Sequence, residues 1–176
     1  MTKILVAGVG NILRGDDGFG IEAVRRLLAS SSLPPNVKVL EFGIAGISFV
    51  QELLDGYDAL IILDAIDRKA PPGTLYVIEP QLPEIDTFDL VALGEYLTDL
   101  HQTEPFRVLI LAKALKVLPQ KVIFIGCQPA QCDELEIGLS KPVKAAVSEA
   151  LHTVVSLIDE LRDQAPAKHH PSGFGE

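Results

Sequence analysis

The stretch Lys3–Val9 is apolar at almost every position, the pattern of a strand covered on both faces, and it runs into Gly8-Val9-Gly10-Asn11, a tight turn. From Gly18 to Ala29 the spacing changes. Phe19, Ile21, Ala23, Val24, Leu27 and Leu28 recur with helical period while Glu22, Arg25 and Arg26 supply a polar face, so this segment predicts an amphipathic helix. The breaker cluster Ser30–Asn36 separates it from an alternating strand at Val37–Phe42, the turn Gly43-Ile44-Ala45-Gly46, and a helix from about Ile47 to Leu54. Ala59-Leu60-Ile61-Ile62-Leu63 is five successive apolar residues, which predicts a central strand with Asp64 at its end. After Pro71-Pro72-Gly73 comes Thr74–Ile78, read as a short strand neighbouring that one. Helical spacing returns near Leu90–Leu100 and at Pro105–Val117, with Pro105 suited to a first turn. Lys121–Cys127 reads as a last buried strand, and Val143, Val147, Ala150, Leu151, Val154, Val155, Ile158 and Leu161 make Lys141–Arg162 one long helix.

Strands that alternate with helices predict the α/β class: a single three-layer αβα domain over residues 1–162, with a mostly parallel twisted sheet between helices. Residues 163–176 are rich in Pro, Gly and polar residues without periodicity and are expected to form a flexible tail. A chain of 176 residues with 48% hydrophobic and 22% charged residues can build one sizeable core. Its 15 basic against 24 acidic residues give a net charge of −9, which disfavours phosphate backbones and anionic lipid, so no nucleic-acid partner is expected. Two cysteines, Cys127 and Cys132, make a disulfide framework improbable and point to a reducing, cytoplasmic setting. No signal-like region and no stretch near the ~18 apolar residues of a membrane span is seen, so membrane insertion is not expected.

Parallel α/β sheets collect ligands at the carboxyl ends of their strands, and the chemistry-bearing residues fall there. In Gly8–Gly18 a dinucleotide fingerprint would need glycine where Leu13 stands, and Asp16 and Asp17 put negative charge where a pyrophosphate would sit. Those carboxylates suit a cation or a helix cap. If the first and third strands are adjacent and parallel, Asp17 and Asp64 share one sheet edge; Asp64 could alternatively accept hydrogen bonds from loop N–H groups, and Asp67 is expected to be solvated. His101, between two helical patterns, could join two carboxylates in a borderline-metal site or be an ordinary surface residue. His152 is expected to pack or to be solvated, and His169 and His170 to offer no more than an adventitious metal contact. Cys127 should pack at its strand end, and its spacing to Cys132 is not that of a redox pair. Serine-hydrolase elbow, Walker loop and zincin signatures are absent.

Taken together, Gly8-Val9-Gly10-Asn11 through Asp16-Asp17-Gly18-Phe19-Gly20, Leu63-Asp64-Ala65, Pro72-Gly73-Thr74, His101 with Glu104-Pro105, Gly126-Cys127-Gln128-Pro129 and Gly138-Leu139-Ser140 resemble the motifs of the nickel–iron hydrogenase maturation endopeptidases. The resemblance covers about residues 3 to 160. It implies an endopeptidase that trims the C-terminal extension of a hydrogenase large-subunit precursor, with Asp17, Asp64 and His101 as site and metal-binding residues. It also implies that the nickel is carried by the substrate as recognition signal, with no obligatory resident metal. Asp16 would orient the site from behind. Asp17 stands where members of the family carry glutamate or aspartate and is one methylene shorter than in the glutamate members, and Gly43-Ile44-Ala45-Gly46 departs from branches with Gly-Thr after the second strand. The alternatives weighed beside it are a non-catalytic nickel-sensing chaperone of the large subunit, a nucleotide-dependent Rossmann-like enzyme, and a hydrolase akin to spore-protein proteases, whose acidic pair would not need His101.

Overall fold

The structure, a computed structural model, describes residues 1–30, 32–43, 46–83, 104–132 and 135–163. Five strands form one sheet: β1 (Ile4–Val9), β2 (Val37–Gly43), β3 (Ala59–Ala65), β4 (Leu75–Ile78) and β5 (Lys121–Cys127). Their order is β2-β1-β3-β5-β4, parallel except for β4, which runs antiparallel to β5. Four α-helices accompany them: α1 (Phe19–Ser30), α2 (Gly46–Leu53), α3 (Glu104–Ala114) and α4 (Lys141–Asp163).

The continuous apolar strands are explained by alternation of side chains across a sheet covered on both faces. Ile4, Val6, Ile61, Leu63, Ile123 and Ile125 point to one face, where they pack with α1 and with Val143, Val147, Val154 and Ile158 of α4. Leu5, Ala7, Leu60, Ile62, Val122 and Phe124 point to the other, against Phe49, Val50 and Leu53 of α2 and Val108, Leu109 and Ala112 of α3. Phe42 at the end of β2 stacks on Phe49 with ring centroids 4.3 Å apart, which fastens α2 to the edge of the sheet. The three-layer reading therefore holds, and no described helix is long and apolar enough to cross a membrane.

One neighbour relation differs from the sequence reading. β4 does not lie beside β3, because β1 and β5 occupy both flanks of β3; it pairs with β5 from Leu75↔Cys127 to Ile78↔Phe124 and closes the edge. Its half-buried pattern, with Val77 exposed, is that of an edge strand, and Thr74 belongs to the preceding turn, where its hydroxyl donates to Pro71 O at 2.6 Å. The helix predicted at Leu90–Leu100 and the tail beyond Asp163 lie outside the described residues.

Candidate active site

The sheet order reverses between β1 and β3: from β1 the chain crosses to β2 on one side, while β3 and β5 extend the sheet on the other. Such a switch point opens a crevice at the carboxyl ends of the two strands. The register Gly8↔Leu63 brings those ends level. Beyond β1 the chain turns at Gly10, whose φ of +128° belongs to glycine, and enters a short 3₁₀ turn, Gly15–Gly18, that leads into α1. A Cβ on Gly10 would stand 1.8 Å from the carbonyl oxygen of Asp17 and 3.8 Å from Asp64 Oδ1, so the turn is wedged between the two acidic residues.

Asp17 is held by its own loop: its Oδ2 accepts a hydrogen bond from Asn11 N at 2.9 Å. Neither Asp16 nor Asp17 is a helix cap, since the residue at the N-terminal boundary of the 3₁₀ turn is Arg14 and no side chain caps it. Asp64 is 6% exposed and accepts a hydrogen bond from the adjacent Ala65 N at 2.9 Å. Burial pushes its carboxyl up to about 8, the charge of Asp17 pushes the same way, and the Ala65 hydrogen bond opposes both. Burial raises Asp17 as well, against the Asn11 N–H and the nearby Arg14 charge, which hold it down. Among the described residues no lysine or arginine forms an ion pair with either carboxylate. Two mutually repelling acids without a paired cation are the donor set for a positively charged ligand, not for a phosphate.

A cleft of about 490 Å³ opens beside the pair, lined by Asp17, Ala65, Asp67, Gln128, Ala130 and Cys132 among others. Its walls are tied by side chains. The buried Gln128 accepts from Arg68 N at 2.7 Å and Ala70 N at 3.3 Å and donates to Asp67 Oδ1 at 2.9 Å, joining the loop after β5 to the loop after β3. Asp16, also buried, accepts from Ala130 N at 2.8 Å, Ser140 N at 2.7 Å and the Ser140 hydroxyl at 2.8 Å, clamping the 130–140 segment to the 3₁₀ turn. Cys127 is buried, and burial together with the Asp16 charge pushes its thiol up to about 12, so it is an inert packing residue at neutral pH. Asp67 is exposed, as expected.

The structure therefore brings Asp17 and Asp64 together. The expected third member, His101, lies outside the described residues, as do His169 and His170, while His152 is exposed on α4; among the described residues no group of three metal-ligating side chains forms. Sequence reasoning missed Asn11, which restrains Asp17 through its backbone, and Gln128. The signal for Gln128 was its place directly after β5, on the same sheet edge as Asp64.

A family model described as hydrogenase maturation protease matches residues 21–157. A hydrogenase expression/formation protein, HupD, from Rhizobium leguminosarum bv. viciae is 36% identical over 156 residues, which is 89% of this chain and 74% of that protein. Among solved structures, the hydrogenase maturating endopeptidase HybD from E. coli superposes with a TM-score of 0.73 at 30% identity, covering 90% of this chain and 93% of that one. A hydrogenase 2 maturation peptidase from a Thaumarchaeota archaeon gives a TM-score of 0.65 at 36% identity, with 89% and 98% covered. With the acidic pair seated at the switch point of that shared fold, the chain belongs to the hydrogenase maturation protease family and is a peptidase.

Proposed function

We propose that this enzyme removes the C-terminal extension of a nickel-loaded nickel–iron hydrogenase large-subunit precursor, in a cytoplasmic setting, with the substrate's nickel as the recognition signal. The observation that carries the reading is the acidic pair. A buried Asp64 and a half-buried Asp17, neither of them in an ion pair with a lysine or arginine among the described residues although Arg14 lies near Asp17, favour a cation brought by the ligand. Asp17, Asp64 and His101 complete the coordination of that nickel, mixed carboxylate and imidazole ligation being suited to a borderline metal. Nickel in the precursor would supply Lewis-acid polarisation of the scissile carbonyl. The chain's own residues do the rest: the Asn11 N–H fixes the Asp17 carboxylate, and Asp64, which holds a proton in the free enzyme, gives it up as the cation binds. Gln128 and Asp16 hold the cleft walls against which the peptide is laid.

The test is the intact mass of the precursor, nickel-loaded and nickel-free, after incubation with the enzyme. Loss of a C-terminal peptide from the loaded form alone is the expected result, and Asp17→Asn, Asp64→Asn and His101→Gln each abolish it while the protein stays folded. Full processing by any one variant removes that residue from the site. Stable nickel-dependent binding with no loss of mass would replace the protease reading by that of a chaperone.

A further inference from the structure

The segment Leu135-Glu136-Ile137 crosses beside the start of the 3₁₀ turn as an isolated parallel bridge, Arg14↔Glu136. Glu136 spends both of its backbone groups on this bridge: Gly15 N donates to Glu136 O at 2.7 Å and Glu136 N donates to Leu13 O at 3.0 Å. In an extended segment the flanking residues then turn their N–H and C=O groups the other way. Those of Leu135 and Ile137 make no hydrogen bond with any described residue. Their side chains are 87% and 85% exposed, and Leu13 at 51% and Ile12 at 42% extend the apolar surface. Glu136 points to the opposite face, its carboxylate near Gly15. Large apolar side chains this exposed, on a segment whose outward backbone groups have no partner among the described residues, form an edge suited to receive a strand.

Three further features specify the occupant. A pocket of about 220 Å³ adjoins the edge, with Ile12, Ile137 and Leu139 in its lining, wide enough to receive an apolar side chain. In that lining Arg26 is paired with Glu22 and Arg25 with Glu41, which leaves Lys144 as the cation without an ion-pair partner among the described residues; Arg14, at the bridge, likewise has none. Finally, the edge and the cleft meet at the 3₁₀ turn: Ala130, Gln131 and Cys132 line the cleft, Asp16 N donates to Gln131 O and Gly15 N to Glu136 O, and Asp16 accepts from Ala130 N and Ser140 N, next to Asp17.

We propose that Leu135–Ile137 is the substrate-docking edge, on which an extended, apolar stretch of the precursor carrying an acidic group adds as a β-strand and so leads its scissile bond to Asp17 and Asp64. The inference rests on the protease reading given above. Backbone pairing at Leu135 and Ile137 supplies affinity, the pocket under Ile137 selects an apolar side chain, and Lys144 and Arg14 attract the acid.

The test compares wild type with the double variant Leu135→Ser, Ile137→Ser, and separately with Lys144→Gln, using the nickel-loaded precursor. KM and kcat are measured by intact mass, and precursor affinity is measured with a nickel-loaded precursor whose scissile bond has been made uncleavable. The replaced side chains are exposed, so the melting temperature should be unchanged. The double variant is expected to raise KM and weaken precursor binding roughly ten- to a hundredfold with kcat retained, as loss of two apolar anchors requires. Lys144→Gln should give a smaller rise in KM that vanishes in high salt. Wild-type KM and affinity in the double variant would overturn the docking edge while leaving the protease reading intact. A wild-type dimer that the double variant converts to monomer, with KM unchanged, would assign the edge to a second copy instead. A wild-type enzyme that neither binds nor cleaves the precursor would overturn the protease reading, and this inference with it.

Discussion

Burying the Asp64 carboxyl costs stability at neutral pH. Its carboxyl is lifted from 3.8 to about 8 in the folded protein, first by burial and then by Asp17, so the native state retains a proton that the unfolded chain gives up. The folded pKa being the higher, the stability linked to this group is fully present below about pH 4 and is lost as pH rises toward 8. Asp64→Asn keeps an oxygen to accept from Ala65 N and removes the ionisation. The variant is expected to be inactive yet more resistant to urea than wild type at pH 7, by up to about 4 kcal/mol, and equal to it at pH 3. Urea titrations at both pH values check this; an equal difference at both would mean that packing, not ionisation, separates the two proteins. Asp16 presents the reverse case. It accepts three hydrogen bonds from N–H and O–H donors, and Asp16→Asn turns an amide donor toward those donors. A loss of roughly 1–3 kcal/mol in unfolding free energy is expected, together with a raised KM, since the 130–140 wall loses its clamp. A fall in stability with KM unchanged would detach that wall from substrate binding.

The element that sets the site is α1, and its position depends on the absence of two side chains. A Cβ on Gly20 would stand 2.0 Å from Leu63 O and 2.3 Å from Val9 O, and one on Gly8 would meet Gly20 O at 2.4 Å. The helix thus rests on the backbone of β1 and β3, which carries Asp17, just before its first turn, over the end of β3 where Asp64 sits. Gly20→Ala would gain helix propensity of about 1 kcal/mol. The backbone clash outweighs it, with an expected net loss of roughly 3 kcal/mol or more and a collapse of processing activity. Gly46→Ala in α2, whose Cβ would make an ordinary 3.8 Å contact with Val108, should be close to neutral, and thermal melts of the two variants side by side distinguish close seating from a general intolerance of substitution. The same elements show what was legible in the chain. β1, β3 and β5 announced themselves because strands buried on both faces are apolar throughout, and α1 and α4 because each keeps a single apolar stripe. β4 was recognised as a strand and misplaced, since its four residues contain no information about which neighbour is free. That is decided by β5, more than forty residues later, taking the remaining flank of β3.

At the scale of the whole molecule, the candidate site was legible to the extent that topology alone creates it. Asp17 and Asp64 follow apolar strand patterns, so the strand-end rule was enough to place them on one edge. Gln128 and the Asp16–Ser140 clamp escaped because their partners include backbone groups of distant loops, and Asn11 because it acts on Asp17 through its backbone N–H, which side-chain identity does not reveal. The docking edge escaped because Leu135 and Ile137 read as ordinary apolar residues until the fold leaves them outside the core. If the acidic pair is the cation site proposed above, the global consequence is a linkage between cation binding and stability. A divalent cation that binds the native pair and not the unfolded chain adds about 2.7 kcal/mol at a hundredfold excess over its Kd, which for a chain of this size raises the melting temperature by roughly 5–10 °C. Nickel is expected to do so at pH 7.5. It should lose the effect progressively as pH falls, because burial raises the proton affinity of both carboxyls and protons then compete with the cation, and it should be absent in the Asp17→Asn, Asp64→Asn double variant at any pH. A nickel-dependent shift that persists in the double variant would assign the binding to histidines elsewhere in the chain, His169 and His170 first among them, and would leave the acidic pair to proton transfer alone.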